Sequence, residues 1–233
     1  MIILSSDYDG TLNTRIHDLR INVRELKKYR ELGNIFILNT GRPFESIKKE
    51  IDTFNIPFDY LCCNDGTAIF DKDLNVINET TLIPEQVNYI KNLVLYNGIF
   101  KISHFYTAKE RLPFEIDNPI EIEVTKENKK HSFKELISNL KSEENNLAYY
   151  EWNNFLFIKN YSNKSTALED IYTVGDEGND LEMIQNHRGF RMLESSPKLW
   201  FKTWRVVPEV HYLLKYLICK SKYLKMKEKV KKM

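Results

Sequence analysis

Short apolar runs and amphipathic stretches alternate along the first 80 residues. The blocks Met1–Ser6, Ile35–Asn39 ("IFILN") and Tyr60–Cys63 ("YLCC") have the compact hydrophobic character of strands buried in a parallel sheet. Between the first two, Val23, Leu26, Tyr29 and Leu32 recur at helical spacing, and Gly33 supplies a stop. Pro43 opens a second helix at a favourable first-turn position, with Phe44, Ile47, Ile51 and Phe54 on one face. "AIFDKDLNVIN" reads as a hairpin turning at Lys72–Asn75. Strands alternating with helices predict right-handed crossovers and an α/β fold built on a doubly wound parallel sheet.

After Thr81 the rhythm changes. A helix over 84–97 is followed by "FKISHFYTA" and "PIEIEVT", which alternate like half-exposed antiparallel strands. A further helix, "SFKELISNLKSEE", precedes "LAYYEWNN" and "FLFIKNY", a hairpin turning at Trp152–Asn154. This α-β-β-α-β-β pattern predicts a smaller α+β unit over 82–160, inserted into a core made of 1–81 and 161–233. The parallel pattern returns from Asn163 with a short helix, the strand "YTV" and "GDEGNDLEMI". The Lys-rich segment Lys215–Met233 reads as a basic, partly frayed terminal helix with a solvated face.

Composition narrows the function classes. Hydrophobic residues at 42% and charged residues at 29% describe an ordinary globular chain, and the net charge of +1 gives no argument for nucleic acid or membrane. No stretch has the length and apolarity of a bilayer span, and the N-terminal run is too short for a signal sequence. Cys62, Cys63 and Cys219 form no disulfide or metal pattern, and the first two read as strand core residues. A reducing cytoplasm is the expected location, with the sequons at Asn78, Asn160 and Asn163 fortuitous.

Four stretches carry candidate chemistry. Asp7 and Asp9, one residue apart after the first strand, repel each other, and burying either without a partner costs several kcal/mol (about 2–7 for a polar group). An EF-hand is excluded because Gly10 directly follows Asp9. A carboxylate pair at a strand end suits Mg²⁺, which takes few protein carboxylates, and the carboxyl edge of a parallel sheet is where ligands bind. Taken alone, the pair reads equally as two exposed loop aspartates. "NTGR" (39–42) follows the second strand, where Thr40 offers a hydroxyl and Gly41 permits close approach of a phosphate to the chain. Lys164 in "NKSTAL" sits at a helix start, against the macrodipole, either paired with an anion or simply solvated. "GDEGND" (175–180) adds Asp176, Asn179 and Asp180 after another strand, as oxygen ligands or as an Asx-rich turn.

Together, "DYDGT", "NTGR", "NKSTAL" and "GDEGNDLEMI" resemble the four motifs of the haloacid dehalogenase superfamily, and "CCNDGTAIFD" is similar to the Asn-Gly turn of its Cof-type subclass. Asp9 and Thr40 are only 31 residues apart, leaving no room for a cap there, whereas 82–160 fills the gap where that subclass carries its substrate-specificity cap. The resemblance implies a Mg²⁺-dependent phosphatase of a small phosphorylated metabolite, with a sugar phosphate as the expected substrate. By it, Asp7 is the nucleophile, Asp9 the general acid and base, and Lys164 the neutralising cation. Thr40, Gly41, Arg42 and Asn179 would bind phosphate. Asp7, the Asp9 carbonyl and Asp176 would hold the ion, with Asp180 ordering its waters and Lys164. Phe105, Tyr106, Tyr149, Tyr150 and Trp152 are the cap's candidate substrate-facing aromatics. No nucleic acid or membrane partner is expected, and the chain is expected to be a monomer or weak dimer.

One departure stands out. Lys164 lies only 12 positions before Asp176, shorter than the family's usual span. A helix over Ser165–Asp170 descends about 9 Å and "YTV" climbs back about 10 Å, leaving almost nothing for a turn. Reduced stability and a displaced Lys164 or Asp176 are therefore expected. That departure keeps open a non-catalytic phosphate-binding relic. The resemblance separately leaves a phosphosugar mutase of the same superfamily as an alternative, since a related cap class carries that activity.

Overall fold

A computed structural model describes residues 1–14, 18–126, 131–140, 145–162, 164 and 171–231. Two sheets organise these residues. The larger has eight strands in the order β13-β12-β11-β1-β2-β3-β4-β5. Its strands β1 (Ile3–Asp7), β2 (Ile35–Asn39), β3 (Tyr60–Cys63), β11 (Ile171–Gly175), β12 (Arg188–Met192) and β13 (Val206–Val207) run parallel. The hairpin β4 (Ala68–Asp71) and β5 (Val76–Glu79) closes one edge antiparallel.

Helices cover both faces. α1 (Leu19–Glu31) links β1 to β2, and α2 (Phe44–Phe54) links β2 to β3. α5 (Leu181–Asn186) links β11 to β12 in the opposite direction along the sheet. Right-handed crossovers therefore place α1 and α2 on one face and α5 on the other. The strand order reverses between β1 and β11, which is the switch point where an open α/β sheet forms its ligand crevice. Asp7 ends one of these strands and Asp176 follows the other.

α1 begins four residues before the Val23 start predicted from spacing, because Asp18 caps it by accepting the Arg20 N–H at 3.0 Å. α6 (Val210–Lys231) likewise begins before Lys215. Its first half buries Val210, Leu213, Leu214 and Leu217 and packs on α1, while the Lys-rich second half is exposed. No described helix is long and apolar enough to cross a membrane.

The second sheet, order β7-β6-β8-β10-β9, is antiparallel and lies wholly within the 82–160 segment. It comprises β6 (Phe100–Tyr106), β7 (Arg111–Leu112), β8 (Glu121–Lys126), β9 (Leu147–Trp152) and β10 (Phe155–Asn160). Period-two alternation gives it two unlike faces. Phe105, Ile122, Val124, Leu156 and Ile158 pack with α3 (Pro84–Asn97) and α4 (Lys134–Leu140). The opposite face carries Tyr106 and Phe157, which join the hydrophobic core of the larger sheet, and Glu121 and Lys159, which meet the turn after β3.

The short segment before β11 does not displace its flanks. β11 spans Ile171–Gly175, two residues longer than "YTV", and Lys164 and Asp176 both reach the strand ends at the switch point. The helix predicted over Ser165–Asp170 lies outside the described residues, as do the last residues (141–144) of the helix predicted through Glu144.

Candidate active site

The ends of β1, β2, β3 and β11 converge at the carboxyl edge of the larger sheet, and Lys164 joins them there. Asp7, the last residue of β1, is buried, and its Oδ1 accepts the Lys164 ammonium at 2.6 Å. Lys164, itself buried, also donates to Asp180 Oδ1 at 2.9 Å and lies 3.9 Å from Asp65 Oδ1. Asn39, at the end of β2, donates to the Lys164 carbonyl at 3.0 Å and so fixes the backbone beneath that ammonium. Asp180 Oδ2 accepts the backbone N–H groups of Asp176 (3.0 Å) and Glu177 (3.1 Å), and Thr11 donates to Asp176 Oδ1 at 2.7 Å. These bonds orient the loop after β11 and occupy both oxygens of Asp180 but only Oδ1 of Asp176.

Among the described residues, Asp7, Asp176 and Asp180 bring one carboxylate oxygen each within 4.8 Å of one another. Three carboxylates share one ammonium, so the pocket is short of positive charge. The titration behaviour reflects this. Burial pushes the Asp7 carboxyl well above its usual range; Lys164 opposes the shift, and Asp180 and Asp176 add to it. Asp176 is pushed up to about 6, first by burial and then by Asp180 and Glu177, against the Thr11 hydrogen bond. Burial works against the Lys164 ammonium, yet Asp7, Asp180 and Asp65 raise its pKa above the usual value. An all-oxygen, net-negative cluster at a strand edge fits a hard divalent cation.

Asp9 stands apart from this cluster. Its half-exposed carboxylate is clasped by Arg42, with Nη2 to Oδ1 at 2.6 Å and Nε to Oδ2 at 2.7 Å. Arg42 also reaches Glu50 at 3.4 Å and lies over the Tyr8 ring, 5.0 Å from its centre. Arg42 therefore sits on Asp9, while Thr40 and Gly41 line the loop between β2 and α2 with the Arg42 N–H donating to Thr40 Oγ1 at 3.1 Å. Asn179 donates to Asp65 Oδ1 at 3.0 Å. Of the residues singled out by sequence, Asp7, Lys164, Asp176 and Asp180 form one contact network, Asp9 and Arg42 a second beside it, and Asn179 joins through Asp65.

Asp65, Asn39, Thr11, Glu121 and Lys159 were not read from sequence. Thr11 and Asn39 lie inside the quoted motifs, but their partners are 165 and 125 residues away. Glu121 is fully buried; its Oε1 accepts Asn64 Nδ2 at 3.1 Å, and among the described residues its Oε2 has no hydrogen-bond partner. Burial pushes this carboxyl up to about 7, against the pull of Lys159. Folding therefore takes up a proton here: the stabilisation is complete below the unfolded value near 4.5 and is lost as pH rises to about 7. Glu121→Gln is expected to match wild type near pH 4.5 and to exceed it above pH 7 by about 3 kcal/mol, read from urea melts across that range.

A family model for haloacid dehalogenase-like hydrolases matches residues 4–165, and the chain belongs to that family. No curated protein matches it. Solved structures sharing the fold include a hypothetical protein of Geobacillus kaustophilus, 16% identical with a TM-score of 0.75, the match covering 93% of this chain and 98% of that one. A haloalkanoate-superfamily phosphatase of Bacteroides thetaiotaomicron is 17% identical with a TM-score of 0.73, covering 93% and 95%. A subclass IIB sugar phosphatase is 16% identical with a TM-score of 0.71, covering 93% and 98%. In fold the chain thus falls with the subclass IIB, Cof-type members.

Proposed function

We propose that this chain is a Mg²⁺-dependent phosphatase of a small phosphorylated metabolite, a sugar phosphate, working through an aspartyl-phosphate on Asp7. The observation that carries this reading is the contact of Lys164 with both Asp7 and Asp180 beside Asp176. Asp7, Asp176 and the Asp9 carbonyl would hold the ion, with Asp180 against it. When bound, Mg²⁺ supplies the positive charge this cluster lacks and draws off charge from the phosphate.

The protein's own groups then have distinct tasks. Lys164 occupies Asp7 Oδ1, which leaves Oδ2 as the attacking oxygen. Asp7 Oδ2 forms a bond to phosphorus while the bond to the leaving oxygen breaks, and Asp9 gives that oxygen its proton. Asp9 next takes a proton from water, the water oxygen bonds to phosphorus, and the bond to Asp7 breaks to release phosphate. Arg42 occupies both Asp9 oxygens, so the clasp must open before either can meet the leaving oxygen. An arriving phosphate, cradled by Thr40 and Gly41, competes for Arg42 and frees Asp9 for this role.

The 82–160 unit acts as the cap. Tyr106 and Tyr150 face the core side of its sheet, whereas Phe105 and Tyr149 pack toward its helices and Trp152 is exposed. On the same side of the sheet, Ser103, Tyr106 and Arg111 converge on buried Glu123 at 2.6–2.7 Å, which holds the more accessible Ser103 and Arg111 as polar groups suited to hydroxyl-bearing leaving groups. The relic alternative rested on a displaced lysine, and Lys164 at 2.6 Å from Asp7 gives it no support. Phosphate release from an aryl phosphate and a sugar-phosphate panel, with Mg²⁺ and with chelator, tests the reading. Metal-dependent release is expected, and no release from any member would defeat it.

Gly10 bears on the same site. It has φ 73°, and a Cβ there would stand 2.2 Å from Asp176 Oδ2. Gly10→Ala is expected to cost about 1–2 kcal/mol for the left-handed backbone and to weaken Mg²⁺ binding about tenfold or more, measured by thermal melts and metal titration.

A further inference from the structure

The turn after β3 is built from three consecutive left-handed residues, Asn64, Asp65 and Gly66, with φ of 49°, 53° and 93°. Asn and Asp enter that region more readily than other side chains, and two in succession are held there by the surrounding contacts. Those contacts lead to the phosphate loop on one side and the inserted unit on the other. The Asp65 N–H donates to the Thr40 carbonyl at 3.1 Å, and the Asn64 N–H donates to the Arg42 carbonyl at 3.0 Å. Lys159 of β10, buried, donates to the Asn64 carbonyl at 2.6 Å and to Asp65 Oδ2 at 2.9 Å.

Asp65 Oδ1 faces the catalytic side. It accepts Asn179 Nδ2 at 3.0 Å, lies 3.9 Å from Lys164 Nζ, and abuts Gly41, where a Cβ would come within 3.0 Å of it. One carboxylate thus has its two oxygens on different partners: a cap lysine and the phosphate-site group of Gly41, Asn179 and Lys164. Burial raises the Asp65 pKa, but the two lysines outweigh it and keep the carboxylate ionised.

We propose that Asp65 is a positioning residue through which Lys159 of the inserted unit holds the phosphate loop, Asn179 and Lys164 in working register. Docking of the insert is thereby felt at the reacting groups by a residue that touches neither substrate nor metal. The inference rests on the phosphatase reading of the site and adds to it a path from cap to catalysis. Without Lys159, the Asp65 carboxylate loses its nearest cation and turns toward Lys164, pulling that ammonium from Asp7.

The test uses the full chain with Mg²⁺ and an aryl phosphate. Lys159→Met and Asp65→Asn are each expected to lower kcat about tenfold with KM changed less than about twofold, and the double variant should be no worse than Asp65→Asn alone, as groups acting through one another behave. Lys159→Arg should restore most of the loss. A Lys159→Met kcat within about twofold of wild type, or losses that multiply in the double variant, would overturn the proposal. If Lys159→Met does not fold, Asp65→Asn and Lys159→Arg decide it on the same kcat criterion. Wild type lacking turnover would defeat the phosphatase reading instead. The Asn179 side-chain amide resonance then decides coupling: it should shift in Lys159→Met, and an unmoved signal would overturn the inference.

Discussion

Asp7→Asn is expected to lower turnover by at least about 10⁴-fold, since a missing nucleophile leaves only binding and electrostatics. The amide keeps the size of the carboxylate and can still accept the Lys164 proton through its oxygen. The variant should not be less stable. The fold disfavours charge on Asp7, because burial and the neighbouring Asp180 and Asp176 oppose it. Removing that charge relieves crowding in a site where three carboxylates share one ammonium. Unchanged or raised thermal stability, together with lost phosphate release, separates a chemical role for Asp7 from a structural one. A variant that loses both in proportion would argue for the structural role.

Lys164→Met has the opposite profile. It should destabilise the chelated protein by about 3–5 kcal/mol at pH 8, the cost of leaving buried charges without their partner. The buried ammonium is the hydrogen-bonding cation of Asp7 and Asp180 at 2.6 and 2.9 Å, and methionine fills its space without its charge. Protonation of the stranded carboxylates relieves this cost. Burial already holds the Asp7 carboxyl well above its usual range and Asp176 at about 6, so the deficit should shrink as pH falls below 6. Mg²⁺ should recover part of it at pH 8 by replacing the missing charge, whereas turnover stays low. Urea melts at several pH values, with and without Mg²⁺, check each part. A deficit independent of pH would mean that packing rather than charge is at stake.

Local pattern carried much of the architecture. "IFILN" and "YLCC" occupy the strands their hydrophobicity predicts, and helix 84–97 matches α3 to the residue. β12 escaped notice because Gly189 and the arginines of "RGFRM" break the apolar run, and β13 is only two residues long. The site divides in the same way. Asp7, Lys164, Asp176 and Asp180 were singled out because four motifs together resemble those of a family, whereas each stretch alone also reads as an ordinary loop, a solvated lysine or an Asx-rich turn. Asp65 and Lys159 were not, since their pairing spans 94 residues and depends on how the inserted sheet docks. Length arithmetic on the Lys164–Asp176 span predicted a displaced Lys164 or Asp176, yet both reach the site; residues 165–170, which make the connection, lie outside the described residues.

The central claim is that Asp7 carries the phosphoryl group. Acid-quenched wild-type protein, mixed briefly with an aryl phosphate and Mg²⁺ and then mapped by peptide mass spectrometry, tests it directly. One phosphoryl group should appear on the peptide containing Asp7, vanish on treatment with hydroxylamine, and be missing from Asp7→Asn. Phosphate release at full rate with no label on Asp7, or with the label on another residue, would contradict the account.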